Sequence, residues 1–260
     1  MQPYTTVSSP PYHSAFSSPK GLVLFIQQLR ALSGGKPVGF KLCIGKKSEF
    51  AGICKSMVEL DVYPDFITVD GGEGGTGAAP QEFSNYVGAP MMDGLAFVHN
   101  MLVGFGIRQH IKVIASGKIL SGFHILRAMA LGADGCNSAR AMMMALGCIQ
   151  ALLCNTNRCP TGITTQDPQL TVGLVVEDKK HRVANYHEDT VKSFVELLGA
   201  AGLEDMKQLT RSHIYRRVFM NEVRTFEDVF PSLQPGCLLN GNIPGKDKQD
   251  IEAASADRWG

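Results

Sequence analysis

Apolar residues recur at helical spacing from Pro19 onward. Leu22, Phe25, Ile26, Leu29 and Leu32 follow Ser18 as N-cap and Pro19 at the first helical position, and Gly34-Gly35 closes the run. "PVGFKLCI" (37–44) is a short apolar run between turn residues, which predicts a strand, and "SEFAGICKSMVEL" (48–60) returns to a 3.6-residue period behind Ser48 as cap. The alternation then repeats. "DFITVD" (65–70) is a β-branched strand that leads through "GGEGGTGAAP" (71–80) to the helical "MMDGLAFVHNMLVGFGI" (91–107). "KVIASG" (112–117) and "SGFHILRAMALGA" (121–133) form the third strand and helix, and "DGCNSA" (134–139) with "ARAMMMALGCIQALL" (139–153) the fourth. Four β/α units in a row predict an α/β fold with parallel strands joined by helices.

Either side of these units the pattern is lost. Residues 1–18 are rich in Pro, Ser and Tyr and predict an extended arm, leaving 19–176 as the β/α body. In 177–260, "HEDTVKSFVELLGAAG" (187–202) predicts a capped helix, and the last 50 residues lack periodicity and predict a wrapping, partly disordered tail.

Composition narrows the partners. Twenty-five basic against 24 acidic residues give a net charge of +1, which favours neither nucleic acid nor an anionic membrane. No window reaches the ~18 apolar residues of a membrane span, and the first residues lack signal-peptide order, so the expected location is the cytoplasm. Seven cysteines without an export signal predict reduced thiols rather than a disulfide framework.

Parallel β/α architectures place chemistry at the carboxyl ends of the strands. Ser116, Gly117 and Lys118 follow the third strand, and Ser138, Ala139 and Arg140 follow the fourth. Each group opens a helix, and two such loops in succession suit a phosphate, although either turn alone needs only glycine's conformational freedom. Lys41 interrupts an apolar strand, where burial requires a negative partner; it either reaches solvent from an edge or meets an anion. Asp70 and Glu73 frame a loop with five glycines in ten residues, read as a ligand loop or a plain lid. His99 and Arg108 read as solvated or capping groups. Cys148, Cys154 and Cys159 have a C-x5-C-x4-C spacing that fits neither zinc knuckles nor common ferredoxin patterns, and by spacing alone they read as buried thiols.

"GCIQALLCNTNRCPTGITTQDPQL" (147–170), taken with "VGFKL" (38–42), "DGGEGGTGAAP" (70–80) and "LGADGCNSARAMMMALGC" (131–148), resembles the FMN-binding domain of the glutamate synthase family. The resemblance is dense over about 19–176. It implies a partial TIM-type (β/α)8 barrel of about four C-terminal β/α units, with an iron-sulfur loop and a C-terminal helical or irregular extension. It further implies that Cys148, Cys154 and Cys159 bind a 3Fe-4S cluster, and that Lys41 contacts FMN or substrate as a catalytic group. Ser116, Gly117, Lys118, Ser138, Ala139 and Arg140 would hold FMN, and Glu73, Gly74, Gly75, Thr76 and Gly77 would line the substrate side.

The implied reaction is reduction of 2-iminoglutarate, from 2-oxoglutarate and ammonia, to glutamate. Free or glutamine-derived ammonia, and electrons from a ferredoxin or a reductase subunit, are expected to come from elsewhere. A half barrel leaves two strand edges unpaired, so the chain is expected to be part of a longer one, to be completed by a partner, or to pair with itself. Two other functions are compatible with the same motifs: a non-catalytic cluster-carrying scaffold, or an FMN oxidoreductase for another substrate.

Overall fold

In the computed structural model, residues 12–74 and 85–259 are described, and residues 1–11 of the expected arm lie outside them. Helix α1 (Pro19–Leu32) starts where its cap signals place it: the Ser18 hydroxyl accepts from the Gly21 N–H at 3.1 Å, and Gly34 and Gly35 end it at φ +70° and +84°. The chain then alternates through β1 (Gly39–Cys43), α2 (Lys47–Leu60), β2 (Phe66–Asp70), α3 (Met91–Gly104), β3 (Lys112–Ser116), α4 (Gly122–Ala130), β4 (Gly135–Asn137) and α5 (Ala139–Leu146). The four strands form one parallel sheet in the order β1-β2-β3-β4. Sequential parallel strands joined by helices are the repeating unit of a (β/α)8 barrel, and four such units follow one another here in sheet order.

Strand alternation gives the sheet two unlike faces. On one, Phe40, Leu42, Ile67, Val69, Val113 and Ala115 pack into the core with the helices. Helix α3 is apolar almost all round, with Leu95, Val98, Met101 and Leu102 fully buried, each contributing about 1.5–3 kcal/mol through removal from water. On the other face stand Lys41, Thr68, Asp70, Ile114, Ser116 and Asn137, of which Lys41 and Asn137 are exposed and Thr68 is buried.

Three sequence expectations change. Ser48 lies inside α2, and the capping position is Lys46, which makes no side-chain cap bond. Helix α5 stops at Leu146 because Gly147 adopts a left-handed conformation (φ +106°), so residues 148–153 form a loop instead of a further helical turn. The later helix begins well before residue 187, as α7 (Val176–Ala200), after the short α6 (Pro168–Thr171) capped by Asp167.

The tail is structured and docked. After α7 come a hairpin, β5 (Tyr215–Phe219) and β6 (Glu222–Thr225), then α8 (Phe226–Val229) and α9 (Lys248–Ala253). Lys55 of α2 donates to the carbonyls of Ile251 (2.8 Å) and Ala254 (2.7 Å), and Lys47 pairs with Asp247 at 2.8 Å. Gly52 is required here: a Cβ would come within 2.4 Å of the Ser255 carbonyl. No helix among the described residues is long and apolar enough to cross a membrane.

His99 and Arg108 are structural, and they are neither solvated nor capping. Arg108 donates to His99 Nδ1 (3.2 Å), to the Ile111 and Gly132 carbonyls and to Asp134. Arg211, buried below, donates to Asn100 Oδ1 at 2.9 Å. Burial, then the Arg108 and Arg211 guanidiniums, push the His99 imidazole from 6.5 down to about 4. The unfolded chain takes up this proton near pH 6.5 and the native chain only near 4. The unfolded state therefore binds more protons between these values, and stability falls as pH drops through that window. In urea unfolding between pH 7 and 4, the wild type should lose roughly 2–3 kcal/mol more than a His99→Gln variant. Parallel pH profiles would refute the assignment.

Candidate functional site

The polar face of the sheet carries an ion pair at its carboxyl end. Lys41 Nζ lies 2.5 Å from Asp70 Oδ2, and the lysine side chain is 58% exposed against 13% for the aspartate. The register explains the contact, because Lys41 is paired with Thr68, two residues before Asp70 on the same face. Asp70 also accepts from the Gly71 N–H at 2.9 Å, so the carboxylate is fixed and the ammonium projects from it into the open face. The negative partner that a lysine in an apolar strand requires is thus supplied by the next strand.

Beside this pair lie the loops that follow β3 and β4, joined by a bond from the Ser138 hydroxyl to the Ile119 carbonyl (2.7 Å). Gly117 has φ +146°, and a Cβ there would meet the Met91 side chain at 2.9 Å, so backbone approach at this turn depends on glycine. Helices α4 and α5 begin after Ser121 and Ser138, and neither serine caps its helix through its side chain. Ser121 instead contacts His124 Nδ1 at 2.8 Å. Both helices therefore start without a side-chain acceptor for their leading N–H groups, which suits an anion. Arg140 is half-buried at the second position of α5, and Ala139 is exposed. Lys118 donates to Asn85 Oδ1 at 3.0 Å, tying its loop to the segment before α3.

Glu73 has a more local task than its sequence position suggests. Its carboxylate accepts from the Met91 N–H at 2.9 and 3.0 Å and caps α3. Gly74 approaches Asp70 so closely that a Cβ would stand 2.4 Å from Oδ1. Gly75, Thr76 and Gly77 lie outside the described residues.

Cys148, Cys154 and Cys159 line one small pocket together with Met143, Thr161 and Thr164. The pocket holds about 10 Å³, room for roughly one water. Its loop is strained: Gln150, Leu152 and Asn157 all adopt positive φ (57°, 57° and 62°), and such conformations cluster at functional sites. The Gln150 N–H reaches the Cys148 sulfur at 3.4 Å. Cys159 Sγ is 3.4 Å from Thr161 Oγ1, and Thr164, whose buried hydroxyl has no hydrogen-bond partner, lines the same pocket. Burial raises the Cys159 thiol, but the polar surroundings supplied by Thr161 and Thr164 outweigh it and bring the pKa from 9.0 to about 6. Burial alone acts on Cys136, pushed up to about 11, and holds the fully buried Cys54 thiol higher still.

Among the described residues, no three His, Cys, Asp or Glu side chains converge tightly enough for a single metal ion. Three thiols around one pocket, with no imidazole or carboxylate, form a soft donor set that suits iron-sulfur chemistry. The larger groove of about 700 Å³ between α5 and α7 is lined by Met142, Leu146, Leu174, Val176 and Val183, and its Lys179 and Lys180 are paired with Asp178 and Glu177. It lacks comparable chemistry. Sequence reasoning missed Thr161 and Thr164; the available signal was two hydroxyls within five residues after Cys159.

A family model described as the conserved region in glutamate synthase matches residues 1–204. The glutamate synthase large subunit-like protein YerD of Bacillus subtilis is 42% identical over 217 residues, covering 84% of this chain and 41% of that protein. The archaeal glutamate synthase (NADPH) of Methanocaldococcus jannaschii is 35% identical over 204 residues, covering 78% and 39%. A solved flavocytochrome b2 with sulfite bound aligns with a TM-score of 0.44 at 14% identity, over 84% of this chain and 44% of that one. The chain spans about two fifths of the length of the curated relatives it matches.

A thiolate alkylates and a thiol does not, so the lowered Cys159 should stand out in metal-free protein. Site-resolved mass spectrometry of iodoacetamide labelling should show Cys159 half-maximal near pH 6, with Cys54 protected until unfolding. A Cys159 profile centred above pH 8 would contradict the hydrogen-bonding pattern.

Proposed function

The chain belongs to the glutamate synthase family, and from that premise we propose that it forms the carboxyl-terminal half of an FMN-dependent barrel reducing 2-iminoglutarate to glutamate. The observation that carries this reading is the Lys41–Asp70 pair on the polar sheet face, at the strand ends where such barrels hold their chemistry. The residues present fit both cofactors. Ser116, Gly117 and Lys118, with Ser138, Ala139 and Arg140, would hold the FMN phosphate at two helix N-termini that no side chain caps. Cys148, Cys154 and Cys159, whose side chains line one pocket, would hold a 3Fe-4S cluster there once that pocket, about 10 Å³ as it stands, widens to admit it. When bound, the flavin supplies hydride transfer and the cluster single-electron transfer.

The chain's own part is positioning and electrostatics. Lys41, oriented by Asp70, sets a positive charge at the open face, where it would neutralise a substrate carboxylate or negative charge on the reduced ring. Glu73 fixes the start of α3, and Gly74, Gly75, Thr76 and Gly77 would border the substrate. Ammonia, free or released by hydrolysis of the glutamine amide, and electrons from a ferredoxin or a reductase subunit would come from other domains or subunits in the cytoplasm. The edge strands β1 and β4 also favour a second reading, in which the chain carries the cluster and docks onto a flavoprotein that completes the barrel.

Absorption spectra of anaerobically purified chain, with iron and acid-released FMN quantified, separate these readings. FMN with about three irons per chain supports the redox enzyme. Iron without FMN supports the cluster-carrying reading, and absence of both removes the two together. With the barrel complete, Lys41→Gln should cut glutamate formation by about 10²- to 10³-fold while iron content stays unchanged. Unaltered turnover in that variant would remove Lys41 from the active site.

A further inference from the structure

The three cysteines are not equivalent. Cys148 receives one backbone N–H, from Gln150, whereas Cys159 Sγ lies 3.4 Å from the Thr161 hydroxyl and shares its pocket with Thr161 and Thr164. The Thr164 hydroxyl is the more telling of the two. It is one of only two buried side-chain polar atoms among the described residues without a hydrogen-bond partner, and Thr164 lines the same pocket as this sulfur. A buried hydroxyl left unsatisfied is costly, so its presence points to an acceptor stronger than a neutral thiol. A metal-bound thiolate is such an acceptor.

We propose that Thr161 and Thr164 are positioning residues that set the reduction potential of a cluster bound by Cys148, Cys154 and Cys159. The proposal rests on the cluster reading given above and deepens it. Reduction adds one electron from an external donor to the cluster, and part of the added negative charge spreads onto its cysteine sulfurs. Hydrogen bonds donated to a sulfur stabilise the more negative state and so raise the potential. Because the donors gather on Cys159, the effect enters through that corner.

The test is a dithionite titration with redox mediators, followed by electron paramagnetic resonance, on the full chain purified anaerobically and reconstituted with iron and sulfide. Thr161→Val and Thr164→Val keep the side-chain shape and remove the hydroxyl. Each should shift the midpoint potential to more negative values at unchanged iron content, and Thr161→Ser, which keeps a hydroxyl, should restore the wild-type value. Unmoved potentials in both valine variants with full iron would overturn the proposal and leave the cluster assignment standing. If a valine variant loses its cluster, the comparison passes to the other valine variant and to Thr161→Ala, and an unmoved potential in the loaded variants again overturns it. A wild-type chain that takes up no iron would sink the cluster reading and this proposal with it.

Discussion

Everything in this molecule depends on the strands having been built with one apolar and one polar row. Ile67, Val69, Val113 and Ala115 must face helices, because leaving four such side chains in water would forfeit much of the stabilisation that holds α2 and α3 to the sheet. Once that row is committed, the two-residue period of a strand sends Lys41, Thr68, Asp70 and Ser116 to the opposite side with no further choice. A one-residue slip of β1 would bury the lysine among the helices and expose Phe40 and Leu42. The position of the chemistry is therefore a by-product of how the core is satisfied.

Most of this was legible in the chain itself. Apolar periodicity, a serine-proline start and a double-glycine stop locate α1, and the alternation of short β-branched runs with helical periods locates the four β/α units. What escaped are decisions made by single residues or distant partners. Gly147 ends α5 through one positive φ, against an apolar pattern that continues unbroken to Leu153. The first half of α7 is polar enough to look like a loop, yet it is held by packing against α4 and α5. The tail has no periodicity because its order comes from two carbonyls caught by Lys55 of α2 and a carboxylate caught by Lys47, a pattern invisible to any local window.

The site divides in the same way. A lysine in the middle of an apolar strand demands a negative partner, and Asp70, one strand over, answers it. Glu73 stands equally well placed in the sequence, but the start of α3 claims its carboxylate. The cysteines were visible by position, while their inequality was not, because it arises from where the chain turns after Cys159 and brings Thr161 and Thr164 back onto one sulfur.

The clasp between α2 and the tail has a temporal side. The acceptors for Lys55 lie 196 and 199 residues further along the chain. At about 5–20 residues per second, a ribosome needs roughly 10–40 s to deliver them. Throughout that interval the outer surface of α2 is without its cover, and the notch at Gly52, too narrow for any side chain, stays open to whatever else is in reach. Production of this protein is thus a race between elongation and misplaced contacts, and slow decoding between α2 and α9 would lengthen the exposed phase without altering a single amino acid.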